Sequence, residues 1–230
     1  MSVYVYGLLA TTPPEPLGVG IVGEPLRVAK CGRLLAVVGD MTEVPPVSAT
    51  TLREHDRVVR RLSAMADAAL PVRFGSLVDD EGEIARHLES AEEALERALD
   101  LVKGREQMTV RIYQREESRE REEQRPAEPA RADLGPGARY LHARRWASAQ
   151  EARSAALAAL LPALETLVSA ERIEAHETPP LIASIHHLVE RGRGAAYTAA
   201  VDMTAAGLDR VRVVVGGPWP PYAFASEGVS

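Results

Sequence analysis

The residue types able to move protons, hold a metal or attack a carbonyl are few in this sequence and poorly spaced for the work. His55 and Asp56 are neighbours in TLREHDRVVRRL. Successive side chains on a helix point about 100° apart, so the two form no acid–base pair with each other. His55 falls on the apolar stripe of that segment, which suits a hydrogen-bonded core histidine. His186 and His187 are adjacent in an apolar run that reads as a strand, so their rings leave opposite faces and share no metal ion. The single cysteine, Cys31, stands in no motif with a histidine and an acid and reads as a buried, inert thiol. One thiol allows no internal disulfide and fits a reducing cytosol. Arg191-Gly192-Arg193-Gly194 lacks the lysine and following Ser or Thr of a phosphate-binding loop, which leaves a turn, with an anion at the next helix start as the alternative. No GxSxG, HExxH or paired CxxC occurs. The expectation is a protein with no catalytic residue, no metal and no cofactor.

Two other segments carry a binding type of chemistry. In Pro71-Val72-Arg73-Phe74-Gly75 one arginine interrupts a run otherwise fit for burial, and Gly75 permits a tight turn or a close backbone approach. A buried guanidinium must be paired, with Glu54, Asp56 or a neutral His55 as acceptors, so Arg73 is expected to lock helix to strand; direct contact with a partner is the alternative. The second segment is Gly217-Pro218-Trp219-Pro220-Pro221-Tyr222-Ala223-Phe224. Its prolines remove backbone donors and favour an extended, polyproline-like path, so it is neither a central strand nor a helix and must dock through side chains. Trp219, Tyr222 and Phe224 gather there in a chain with only 4% aromatics. Their burial is worth on the order of 10 kcal/mol gross. That suffices to pin the tail across the domain interface, with a proline-and-aromatic ligand for another protein as the sharper reading.

The elements that must position these residues alternate between strand and helix. Val3 to Leu9 is β-branched and aromatic and ends in TTPPEP, a strand followed by a loop. Gly20 to Val22 and Leu34 to Val38 are further strand candidates. Leu52, His55, Val59, Leu62, Ala66 and Ala69 recur at helical spacing after a capping box formed by Thr51 and Glu54. PVRFGSLV reads as a short buried strand. A helix follows from Glu81 to about Val102, capped by Asp80 and Glu83, and then a strand from Met108 to Tyr113. Arg115 to Arg125 is nearly all Arg and Glu and runs into PAEPARADLGPG, which has little to bury; this marks a linker. Beyond it a long helix spans Arg139 to about Val168, with Leu141, Trp146, Leu157, Leu160, Leu161, Leu164 and Leu167 as buried positions and Pro162 kinking or splitting it. Strands near Ile173 to His176, Leu181 to Leu188 and Val211 to Val215, with a helix near Ala195 to Ala206, complete the pattern.

These elements predict an α+β fold: two ferredoxin-like α/β-sandwich domains with antiparallel sheets, over residues 1–114 and 137–230, joined by a charged linker over 115–136. The 230 residues suit two domains of roughly 100 residues each. A net charge of −6 argues against a general nucleic-acid binder. The N-terminus lacks a basic segment before its apolar run, and no stretch reaches the roughly 18 apolar residues of a membrane span, so a cytoplasmic protein without a membrane partner is expected.

Four segments in this order and spacing, YVYGLL at Tyr4 to Leu9, the helix pattern around His55, PVRFGS at Pro71 to Ser76 and the tail GPWPPYAF, give a resemblance to the gas vesicle GvpF/GvpL family along nearly the whole chain. The resemblance implies an accessory protein of gas vesicle formation, found in the cytoplasm and at or in the vesicle. It implies binding to the small hydrophobic shell protein GvpA, with other gas vesicle accessory proteins as further partners, so that shell subunits are held during nucleation and their aggregation is limited. Arg73, Phe74 and Gly75, with Trp219, Pro220, Pro221, Tyr222 and Phe224, are the candidate interaction or domain-docking residues. A small-molecule-binding regulatory module of ferredoxin-like architecture is the alternative; it would show a pocket lined by Arg73 or by the turn at Arg191 to Gly194.

Overall fold

The protein is described by a computed structural model over residues 2–115 and 136–225, without the side chains of 136–143 and 145. The charged linker expected over 115–136 therefore lies, apart from its two ends, outside the described residues. Contacts divide the chain into two compact units: Met1–Gln107 with Leu188–Arg191 and Pro218–Ser230, and Met108–His187 with Gly192–Gly217. The proline-rich tail thus groups with the N-terminal residues.

The first unit is built on β1 (Val3–Leu9), whose seven residues are all buried. It lies between β3 (Leu34–Asp40) and β4 (Ala69–Pro71), with β2 (Leu26–Cys31) at the edge beside β3, and β5 (Leu77–Val78) also pairs with β1. All of these pairings are antiparallel. The strand expected at Gly20 to Val22 is instead a turn: Gly20 N–H donates to the Glu24 carbonyl and Gly23 N–H to that of Gly20. Gly18 and Gly23 adopt positive φ, which bends the backbone away from a ladder. The paired strand lies downstream, at β2.

Helix α1 (Ala49–Met65) buries His55, Val58, Val59 and Leu62. Its start is Ser48, whose side chain accepts the Thr51 N–H while the Thr51 hydroxyl serves the Ser48 backbone. The expected Thr51–Glu54 box is one turn too late, and Leu52 is exposed. The helix expected from Glu81 to Val102 is broken into α2 (Glu81–Glu89), capped by Asp80, and α3 (Glu92–Val102). Ile84, Leu88, Leu95, Leu99 and Val102 are buried on both sides of the break. Their spacing of three and four with Ala91 runs straight across it, so periodicity alone does not register it.

The second unit holds most of a four-stranded sheet in the order β7 (Val168–Ala175), β8 (Leu181–Glu190), β6 (Arg105–Gln114), β9 (Val211–Trp219). Helix α4 (Pro136–Leu164) continues through Pro162 without splitting, and a 3-10 turn over Glu165–Leu167 leads into β7. Its buried stripe is Ala149, Ala152, Ala156, Leu160 and Leu164. Trp146 is exposed, and Leu157, Leu161 and Leu167 are half-buried, contrary to their expected burial; Leu141 lies outside the described side chains. The stripe is made of small residues because α4 packs against α5 (Gly194–Ala205), and alanines let two helices approach closely. Helices and antiparallel pairing together give the α+β class.

Candidate functional site

Helix α1 presents His55, Asp56 and Arg60 to the two segments that carry the binding chemistry. Val72 turns inward at the end of β4, and its carbonyl lies 3.0 Å from His55 Nε2. A carbonyl only accepts, so Nε2 carries the proton and Nδ1 accepts from the Tyr4 hydroxyl at 3.2 Å. The same hydroxyl accepts the Gly75 N–H at 2.8 Å. Both imidazole nitrogens are thus committed. Burial holds the His55 imidazolium below its ordinary range and pushes the Tyr4 phenol up to about 12. Phe74 meets the rings of Tyr4 and His55 edge-on, and Tyr6 stacks on His55 at 5.8 Å between centroids. Gly75 has a φ of 94°, a conformation that favours glycine, and this brings its N–H to Tyr4.

Tyr6 extends the cluster by donating its hydroxyl to Glu24 and accepting the Ile21 N–H at 2.9 Å. Arg73 departs from expectation: it is exposed, and its guanidinium has no hydrogen-bond or ion-pair partner among the described residues. The lock between helix and strand is made by His55 on the Val72 carbonyl, which leaves no inward position for the arginine.

The tail docks on the same helix one residue further along. Asp56 accepts the Tyr222 hydroxyl at 3.2 Å and the Arg60 Nε–H at 2.6 Å. Arg60 in turn donates to the Pro218 carbonyl and lies 4.3 Å over the Trp219 ring. Ala223 N–H donates to Gln107 Oε1 at 2.8 Å. Pro220, Pro221 and Phe224 are buried, and Trp219 stays 37% exposed. Burial, reinforced by the Asp56 charge, raises the Tyr222 phenol. The path is not the continuous polyproline run expected. Residues to Trp219 extend β9, an edge strand where the missing Pro218 donor costs little, and Tyr222–Phe224 forms a 3-10 turn.

Two further constellations went unread in the sequence. His187 is fully buried; its Nε2 donates to Glu171 at 2.8 Å and its Nδ1 accepts from the Tyr197 hydroxyl at 2.7 Å, which ties β7, β8 and α5 together. Burial lowers its pKa. The signal lay in the alternation of β8, which puts His187 on the side of Ile185 and Val189. His186, on the other side as expected, lies 3.2 Å from Thr109. Arg191 donates to the Ser63 and Ala66 carbonyls, both at 2.8 Å, at the C-terminal end of α1. Its guanidinium is therefore engaged with backbone, not held open for an anion.

A recess beside α4, lined by Trp146, Arg153, His176 and Ile182, encloses essentially no volume of its own and is too shallow to hold a small molecule. Neither Arg73 nor the turn at Arg191 to Gly194 lines it. No group of three or more His, Cys, Asp or Glu side chains is placed to hold a metal ion among the described residues. These arrangements fasten segments to one another; every ring nitrogen in the two clusters is already bonded.

Against known proteins, residues 2–226 match the family described as gas vesicle synthesis protein GvpL/GvpF. The chain is 31% identical over 229 residues to gas vesicle protein L of Streptomyces sp. (strain CB03234), covering 90% of this chain and 85% of that relative. It is 27% identical over 237 residues to gas vesicle protein F of the same strain, covering 97% and 99%. The fold is similar to the crystal structures of GvpF from Microcystis aeruginosa, with a TM-score of 0.77 over 98% of this chain and 99% of that one, and from Anabaena sp. PCC7120, with 0.74 over 98% and 96%; each is 16% identical. Matched from residue 2 to residue 226, the chain belongs to the gas vesicle GvpL/GvpF family.

Proposed function

We propose that this protein is a cytoplasmic accessory and structural protein of the gas vesicle that binds the hydrophobic shell protein GvpA, assists nucleation and assembly, and limits aggregation of free shell subunits. The observation that carries the proposal is an uncovered apolar helix surface in the second unit. Helix α4 has no charged residue between Arg153 and Glu165, and α5 has only Asp202. Ala155, Ala158 and Pro162 on α4 and Ala195, Ala199 and Met203 on α5 all face solvent, Met203 at 79% exposure. An outward helix face ordinarily carries charge, and a helix apolar on every side is ordinarily buried. A surface of this kind suits an apolar partner, and a hydrophobic shell subunit is one. Among the described residues no helix is long and apolar enough to cross a membrane.

On the first unit, Arg73, Pro218 and the exposed part of Trp219 are the members of the two motifs left at the surface for partner contact. Phe74, Gly75, Pro220, Pro221, Tyr222 and Phe224 serve chiefly to hold their segments on the fold. A pull-down of purified GvpA by the full chain tests this, run beside Ala199→Asp/Met203→Asp and Trp219→Ala/Tyr222→Ala double variants checked by circular dichroism. Capture by the wild type that is lost with the aspartates supports the helix face. Loss only in the tail variant moves the contact to the tail, and no capture by the wild type sinks shell-subunit recognition.

A further inference from the structure

The outward side of α5 carries one oxidisable group, the thioether of Met203. Of the chain's five methionines, Met41 and Met108 are 6% and 2% exposed and Met65 is half-buried, whereas Met203 is 79% exposed. Met1 lies outside the described residues. The position of Met203 follows from the helix period. Tyr197 and Val201 are fully buried, and the Tyr197 hydroxyl bonds His187 of β8. Met203 comes two residues after Val201, about 200° around the helix, so its sulfur takes no part in that inward packing. Its surroundings are apolar. Ala199 and Ala206 are exposed on the same side, the Thr198 and Thr204 hydroxyls turn back onto the Gly194 and Ala200 carbonyls at 3.0 and 2.9 Å, and Asp202 is the one charge on α5.

We propose that Met203 is a reversible oxidation site, and that its conversion to the sulfoxide by a hydroperoxide releases the partner held on the α4–α5 face. This rests on the reading of that face as the shell-protein contact. The sulfur lone pair takes one oxygen of hydrogen peroxide: the O–O bond breaks, an S–O bond forms, and the thioether gives up two electrons. The departing hydroxide takes the proton of the transferred oxygen and leaves as water. A thiol-dependent sulfoxide reductase reverses the step, oxidising two thiols to a disulfide and returning the oxygen as water. The product presents a polar acceptor where an adaptable apolar group stood. Water serves that acceptor in the free protein, but against an apolar partner it is buried without a donor. Oxidation therefore weakens the complex and leaves the fold intact. At Met41 or Met108 the same change would put a polar group into the core, and burial shields both.

The test is treatment of the full chain with dilute hydrogen peroxide, removed before GvpA is added, followed by peptide mass spectrometry, circular dichroism and capture of GvpA. Met203 is expected to gain one oxygen before Met41, Met65 and Met108, with unchanged circular dichroism and a roughly tenfold loss of affinity for GvpA. Methionine sulfoxide reductases A and B together are expected to restore that affinity. Met203→Leu, compared with its own untreated sample, is expected to show no peroxide effect on capture. Earlier oxidation of another of these methionines, unfolding on oxidation, or an affinity that survives complete conversion at Met203 overturns the proposal, while capture by the untreated protein keeps the helix face as the contact. If the untreated protein captures no GvpA, the reading of the face fails and this proposal with it, even where Met203 oxidises first.

Discussion

Deleting the His55 imidazole removes two buried hydrogen bonds and its contacts with Tyr4, Tyr6 and Phe74 at once. His55→Ala is therefore expected to destabilise the protein by about 3 kcal/mol, read as a lower urea midpoint. The tail offers a contrast between two aromatics. Phe224, 2% exposed, is expected to cost about 3 kcal/mol as Phe224→Ala, while Trp219→Ala, which removes a partly exposed ring over Arg60, costs about 1 kcal/mol. Equal losses by chemical denaturation would contradict that assignment. The titration of the buried rings sets a pH dependence. His55, His186 and His187 all have pKa values lowered mainly by burial. In the unfolded chain they titrate near 6.5, so the unfolded state takes up protons first. Stability is thus full above about pH 6.5 and is lost as pH falls from there through the folded values. Urea midpoints measured across that range should fall on the acid side, and His187→Phe should reduce the slope.

Helix α1 is held at both ends by residues of different origin. Ser48 caps its start locally, whereas its last carbonyls are served by Arg191, more than a hundred positions away in sequence. Replacing that guanidinium by Arg191→Met is expected to cost about 1 to 2 kcal/mol and to raise hydrogen exchange in the last turn of α1 while leaving its first turn unchanged. Uniform exchange along the helix would contradict the capping role. The contrast also shows what the sequence could carry. The apolar stripe of α1, the burial of His55, the strands β1 and β3 and the opposite faces of His186 and His187 follow from spacing, which is a local property. The break between α2 and α3 kept the stripe in register and so left no trace. β2 carries Arg27 and Lys30 among its six residues, and this interrupts the apolar alternation that marks a strand. Arg73 was expected inside because its neighbours are apolar. Only the three-dimensional structure places His55 Nε2 on the Val72 carbonyl and leaves the arginine outside.

At the scale of the molecule, family membership gives the coarse role, and the proposed shell-protein contact rests on the layout of the second unit. The family supplies a gas vesicle role, and the unit supplies an apolar layer of α4 and α5 that a protein acting alone would be expected to charge or cover. Both ring nitrogens of His55 and of His187 are bonded within the fold. The most direct measurement is light scattering of GvpA diluted from denaturant with increasing amounts of this protein. The account predicts that the wild type suppresses scattering in proportion to its concentration and that Ala199→Asp/Met203→Asp, folded by circular dichroism, does not. Scattering that the wild type leaves unchanged, or that the aspartate variant suppresses equally well, would contradict it.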